Sequence, residues 1–171
     1  MMTGNLRFNF YLCAVLALVA GGCATGAGKE KNPEASLRFH LEVNAVPGGQ
    51  GTNVAVGRSA PFTITVDLQP FLSEFLVEKA SVVDTLGGFA ISVQFDQQGA
   101  ILLEQYTTAY KGRRMGILGE FGEVRWLAAP VMQSRIASGQ FVFTPDATRA
   151  EAERIVSGVN RVAELVRKGR R

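Results

Sequence analysis

Three stretches of this chain alternate apolar and polar residues without a break, and that period limits the fold more than any other feature. Leu37, Phe39, Leu41 and Val43 share one face of the first stretch, and Phe62, Ile64, Val66 and Leu68 share one face of the second. Phe89, Ile91, Val93 and Phe95 do the same in the third, opposite Ala90, Ser92 and Gln94. Side chains on an extended strand point to opposite faces in turn, so each stretch reads as a half-buried strand. Several such strands predict an antiparallel sheet with one covered face. Gly87-Gly88 lies between extended runs and signals a hairpin, because glycine accepts positive φ without a steric penalty.

The cover must come from helices. Asp96 is a candidate N-cap for a helix whose Leu102, Leu103, Tyr106 and Tyr110 form one stripe, with Gly112 as its stop. Thr148-Arg149-Ala150-Glu151 is a capping box ahead of a second stripe running from Ala152 through Ile155, Val156, Val159 and Ala163 to Val166. The Val54–Gly57 segment reads as a short edge strand, and 71–79 as a turn followed by a short helix. The predicted class is α+β, a two-layer, mainly antiparallel sheet covered on one face by two helices.

The front end has a different composition. Arg7 is the one charge before an apolar run from Phe8 to Ala20, too short to span a bilayer comfortably and shaped like a secretory signal. The run ends in Val19-Ala20-Gly21-Gly22-Cys23, which resembles the lipobox of bacterial lipoproteins. The resemblance implies cleavage before Cys23 and attachment of lipid, palmitate included, to its thiol. Ala20 stands where that family prefers Leu. An ordinary signal peptide or a single anchor helix, with an incidental cysteine, is the alternative. Residues 24–32 are small, polar or charged and have no apolar periodicity, as in a flexible tether. Ala24, rather than Asp, resembles the pattern that sorts lipoproteins to the outer membrane. The expected organisation is a signal peptide over 1–22, a tether over 23–36 and one domain over 37–171. That places the protein in the bacterial envelope, lipid-anchored and facing the periplasm, at the outer rather than the inner membrane.

The core stretch carries a second resemblance. Phe95-Asp96-Gln97-Gln98-Gly99-Ala100, with Thr107 late in the helix, is similar to the phrase that opens the periplasmic head subdomain of SecD, an accessory subunit of the bacterial protein-export channel. Gly112-Arg113-Arg114-Met115-Gly116-Ile117 resembles that family's Gly-Lys-Arg-Leu-Ala-Ile strand, and Ala128-Ala129-Pro130-Val131 its Ser-Ala-Pro-Val. Ile136, Gly139 and the segment from Thr144 to Ala152 continue the match. The turn holding Gly119-Glu120-Phe121-Gly122 is longer than the family's. The family's proton-conducting membrane residues have no counterpart, so the resemblance implies a head-like module without the motor.

Few side chains suggest chemistry. The formal charge of +3 is small, and the basic excess lies in the final helix and tail, where seven Lys or Arg face three acids from Arg149 onward. Without base-stacking aromatics in a basic patch, nucleic acid is not an expected partner. One His and two Cys are too few for a zinc site, and no metal, cofactor or small-molecule substrate is expected. His40 falls on the polar face of its strand and reads as an ordinary solvent-facing side chain; as a catalytic base it would be the only one available. Glu120 and Glu123 bracket a turn, as paired carboxylates or simply as turn solubilisers.

Arg113 and Arg114, with Arg125 and Trp126, are the candidate partner-binding surface, since Arg and Trp are favoured interface anchors. Their structural roles would be strand-end charges for the arginines and core packing for Trp126. Arg167, Lys168, Arg170 and Arg171 would either meet anionic lipid or complement the helix dipole. Gly48-Gly49-Gln50-Gly51 lacks the Lys-Ser/Thr ending of a phosphate loop. These readings converge on a non-catalytic envelope lipoprotein that binds secretory polypeptide or an envelope protein, as an accessory to export. The alternative is a structural lipoprotein that uses the fold without an export role.

Overall fold

The computed structural model describes residues 35–45, 49 and 51–169. Cys23, the lipobox and nearly all of the expected tether lie outside the described residues. Strand β1 (Ser36–Leu41) begins one residue inside that expected tether, and Ala35 before it is already buried. The remaining strands are β2 (Gly51–Val56), β3 (Phe62–Asp67), β4 (Leu72–Ser73), β5 (Val77–Thr85), β6 (Gly88–Phe95), β7 (Met115–Glu120), β8 (Val124–Ala128) and β9 (Gln140–Phe143). Helices α1 (Gln97–Ala109) and α2 (Arg149–Gly169) complete an α+β fold.

Every strand pairing is antiparallel, as the alternation requires. The described strands divide among three sheets: β4-β1-β7-β8, β5-β6-β9 and the β2–β3 hairpin. Leu37, Phe39 and Leu41 of β1 face Ile91, Val93 and Phe95 of β6 and Phe141 and Phe143 of β9 in one core. Phe39 joins the two larger sheets, meeting Phe95 edge-on at 5.4 Å and Phe141 at 6.1 Å between centroids. Leu103 of α1 and Ala152, Ile155 and Val159 of α2 close this core. Each fully buried Leu, Ile or Phe there stabilises the fold by about 2 kcal/mol through loss of hydrated apolar surface.

The four-stranded sheet is covered on both faces, and this corrects the one-sided expectation for β1. The β2–β3 hairpin lies across its second face, where Val56, Ile64, Val66 and Ala129 form a smaller cluster with Trp126 against it. Gly116 allows that approach, since a Cβ there would lie 3.1 Å from Val66 Cγ1 and 3.0 Å from the Trp126 ring. His40 is therefore buried, with 6% of its surface exposed, and is not the solvent-facing residue its strand face suggests. Phe62 and Leu68, expected inward, are exposed, whereas Ile64 and Val66 between them are buried. Phe62 instead lies beneath the Arg114 guanidinium at 5.2 Å.

The 71–79 segment also differs from its reading. It holds the two residues of β4, one 3-10 turn (Glu74–Leu76) and the start of β5, with no α-helix. Phe71 N–H donates to Phe39 C=O, so pairing to β1 and then to β6 overrides a helix only a turn or two long. The Gly87 turn behaves as expected, with φ of +94°. So does the Asp96 cap, whose Oδ1 accepts from Gly99 N–H at 2.9 Å. The capping box of α2 closes in both directions, Thr148 N–H to Glu151 Oε2 at 2.6 Å and Glu151 N–H to Thr148 Oγ1 at 3.3 Å.

Candidate functional site

Helix α2 runs beside β5 and shuts that edge of its sheet. At its start Arg149 pairs with Asp84 and lies over the Phe89 ring at 5.4 Å. At its middle Asn160 uses its amide as a strand would: Oδ1 accepts from Ala80 N–H at 2.7 Å and Nδ2 donates to Ala80 C=O at 2.9 Å. The opposite edge is β9. Because Ala80 turns its polar groups away from β6, Val93 must turn its own toward β9, which leaves the N–H and C=O of Val142 pointing outward. No described strand pairs beyond β9, and half of the Val142 surface is exposed.

Around the start of α1 the surface is concave and apolar. Phe75, Val77, Ala163 and Val166 line a groove of about 420 Å³ between the 3-10 turn and the end of α2, with Glu78 and Arg167 at its rim. A second hollow of about 500 Å³, on the other side of Gln97, is lined by Gln98, Ile101 and Leu102. Phe75 is 57% exposed and Ile101 50%, so large apolar side chains stand in water on both flanks of one helix end. Two features bring them there. Asp96 N–H donates to Leu76 C=O at 2.8 Å, and Gly99 lets the helix sit where a Cβ would be 3.1 Å from Leu76 Cβ. Apolar hollows with amide side chains at the margin suit an extended polypeptide, which offers side chains and backbone hydrogen bonds together. Periodicity could not reveal the hollows, because their lining comes from the 3-10 turn, the first turn of α1 and the last turns of α2.

The candidate arginines are not gathered in one surface. Arg113 donates to Glu42 C=O at 3.2 Å and to Asn44 Oδ1 at 3.3 Å. Arg114 donates to Ala129 C=O at 2.9 Å. Arg125 pairs with Glu123 at 3.4 Å and Glu151 at 3.7 Å and lies over the Phe121 ring. Arg125 stands opposite Gly119, five residues along the strand from Arg114, or about 17 Å. Each guanidinium is engaged by its own neighbours, and Trp126 packs in the smaller cluster. Glu120 accepts from Ser36 Oγ at 3.5 Å, whereas Glu123 belongs to the ion cluster, so the two do not work as a pair. Cys23 lies outside the described residues.

His40 is held in one tautomer. Its Nδ1 lies 2.8 Å from Asp67 C=O, which can only accept, so Nδ1 carries the proton and Nε2 is a bare lone pair. That Nε2 is buried without a partner. Burial lowers the imidazole pKa below 6.5, and the hydrogen bond to Asp67 only partly offsets this, so the ring is neutral at pH 7.

Residues 53–161 match the family described as SecDF, P1 head subdomain. A structure of SecDF in its super-membrane-facing form aligns with 75% of this chain at a TM-score of 0.56 and 22% identity, over 19% of its own length. A second, described as a membrane component SecDF that enhances protein export, aligns with 94% of this chain at 0.55 and 19% identity, over 71% of its length. The chain thus spans about a fifth of the first of these proteins. No curated protein matches it.

Proposed function

Because the chain belongs to the SecDF P1 head subdomain family, we propose that it is a non-catalytic envelope protein that binds extended polypeptide in support of protein export. The observation that supports this most is the pair of apolar hollows flanking the start of α1, with Phe75 and Ile101 exposed beside them. The outward polar groups of Val142 offer a second mode, in which a partner strand joins β9. In this reading the domain is held to the membrane by lipid on Cys23, with residues 1–22 removed and 23–35 as the tether. Ala24 behind that cysteine favours the outer membrane, on its periplasmic side. No helix among the described residues is long and apolar enough to cross a membrane.

The test is crosslinking in cells, with a photoreactive residue at position 75 or 101 and a control at position 84. Exported precursors or export-channel subunits captured from 75 and 101, but not from 84, are expected. Equal background capture at all three positions would sink the reading. In parallel, Cys23→Ala should leave an unlipidated precursor, and normal lipid labelling of that variant would remove the anchor from the proposal.

A second reading is a structural lipoprotein that uses the fold without an export role. It draws on the basic last turn of α2, where Arg167 and Lys168 are exposed. Deleting residues 167–171 should then weaken envelope association in a salt-dependent way, whereas the export reading expects no change.

A further inference from the structure

We propose that the β2–β3 hairpin is an acid-released flap, clasped to the four-stranded sheet by His40 and hinged at its tip by Arg58. The hairpin is a sheet of its own with its own small cluster, so it can separate without opening the main core. At its base the clasp is the His40 Nδ1–H bond to Asp67 C=O, beside the Glu42–Val66 bridge and the Val43 N–H bond to Thr65 C=O. At its tip Arg58 pairs with Glu151 at 2.5 Å and with Glu123 at 3.6 Å.

A proton arriving at His40 goes to Nε2, the one free site on the ring. The new N–H is then buried with no acceptor, beside the Arg38 cation. The charge of the Asp67 carboxylate favours the imidazolium, but less strongly than burial and the Arg38 cation oppose it. The Asp67 carboxylate accepts from Gln69 N–H, Glu42 accepts from Arg114 N–H, and the Arg114 guanidinium is itself a cation. From β8 the neighbour is the edge-on Trp126 ring, 5.1 Å away, and Gly116 and Leu118 of β7 bring no charge. Relief comes from exposing the imidazolium, which means lifting the base of the hairpin. A cavity of about 430 Å³ already opens there between Arg38, Asp67, Gln69, Leu118 and Trp126. The tip stays fastened, because the bond from Thr148 N–H and the Arg58 guanidinium hold the Glu151 carboxyl below its ordinary value. The flap therefore swings rather than detaches.

Trp126 is the only tryptophan of the chain and reports directly on the clasp. The full chain would be titrated from pH 7.5 to 4.5 while Trp126 emission, far-UV dichroism and amide hydrogen exchange are followed. The expected result is a reversible red shift with a midpoint below 6.5 and unchanged dichroism. Exchange corrected for intrinsic rate should rise about tenfold in 51–67 but not in β1 or β7. His40→Gln keeps a donor for Asp67 and does not titrate, so it should abolish the transition. The same transition in His40→Gln, an equal rise of exchange throughout the four-stranded sheet, or no change down to pH 4.5 would each overturn the proposal. The exchange comparison in the unaltered chain keeps the test decisive should the variant fold poorly.

Discussion

Asn160 replaces a missing strand for Ala80: one side-chain amide satisfies both the N–H and the C=O that β5 turns away from its neighbour. The two bonds explain why a polar residue sits where α2 meets β5. Edge strands left bare invite pairing with other chains, and α2 removes that hazard on this side.

Asn160→Ala should therefore strand two polar groups of Ala80 in a partly buried site. A loss of about 1–3 kcal/mol is expected from chemical denaturation. Asn160→Asp keeps the acceptor but sets a carboxylate oxygen against Ala80 C=O, so it should be no more stable than Asn160→Ala.

Gly99→Ala should destabilise by about 1–3 kcal/mol despite the better helix propensity of alanine. The added Cβ would lie 2.9 Å from Phe95 Cβ and 3.2 Å from Leu76 C=O, and neither can step aside as a long side chain would. A rise in thermal midpoint would show that α1 is free to shift on the 3-10 turn.

Phe75→Asp and Ile101→Asp should weaken capture of unfolded polypeptide by about tenfold together, as expected for loss of apolar anchors. Both side chains are more than half in water or nearly so, so the thermal midpoint should stay within a degree or two. Binding to immobilised unfolded protein, measured beside a melting curve, separates the two effects.

Stability should depend on pH through His40. Its folded value lies below the 6.5 of the free side chain, so the unfolded chain binds the proton more readily. The contribution is complete above about pH 6.5 and is lost as the pH falls from there through the folded value. Denaturation midpoints measured between pH 7.5 and 5 should decline, and His40→Gln should flatten that part of the curve.

Much of this architecture is written locally. Strand β1, the Gly87 hairpin, the Asp96 cap and the Thr148–Glu151 box each depend on residues a few positions apart, and each is found where the sequence places it. What alternation cannot say is whether the polar face of a strand meets water or another layer. His40 and Ser92 are both polar and both buried, because Asp67 C=O and the Gln140 amide arrive from far along the chain to bond them. Gly116 in mid-strand was the available hint, since a strand gives up a side chain where something approaches closely. The partners of the candidate arginines were hidden for the same reason. Glu42, Ala129 and Glu151 engage them, and none of these is near in sequence to the residue it meets. The hollows beside α1 were illegible because three separate elements build them.

Strand β1 lies between β4 and β7, with all six of its residues in register along β7. This gives the domain a mechanical character. A pull on the chain ahead of Ser36 acts along the length of an interior strand, so it must shear a whole ladder of hydrogen bonds at once instead of peeling them singly. A domain held by that end would resist unravelling from its own point of attachment.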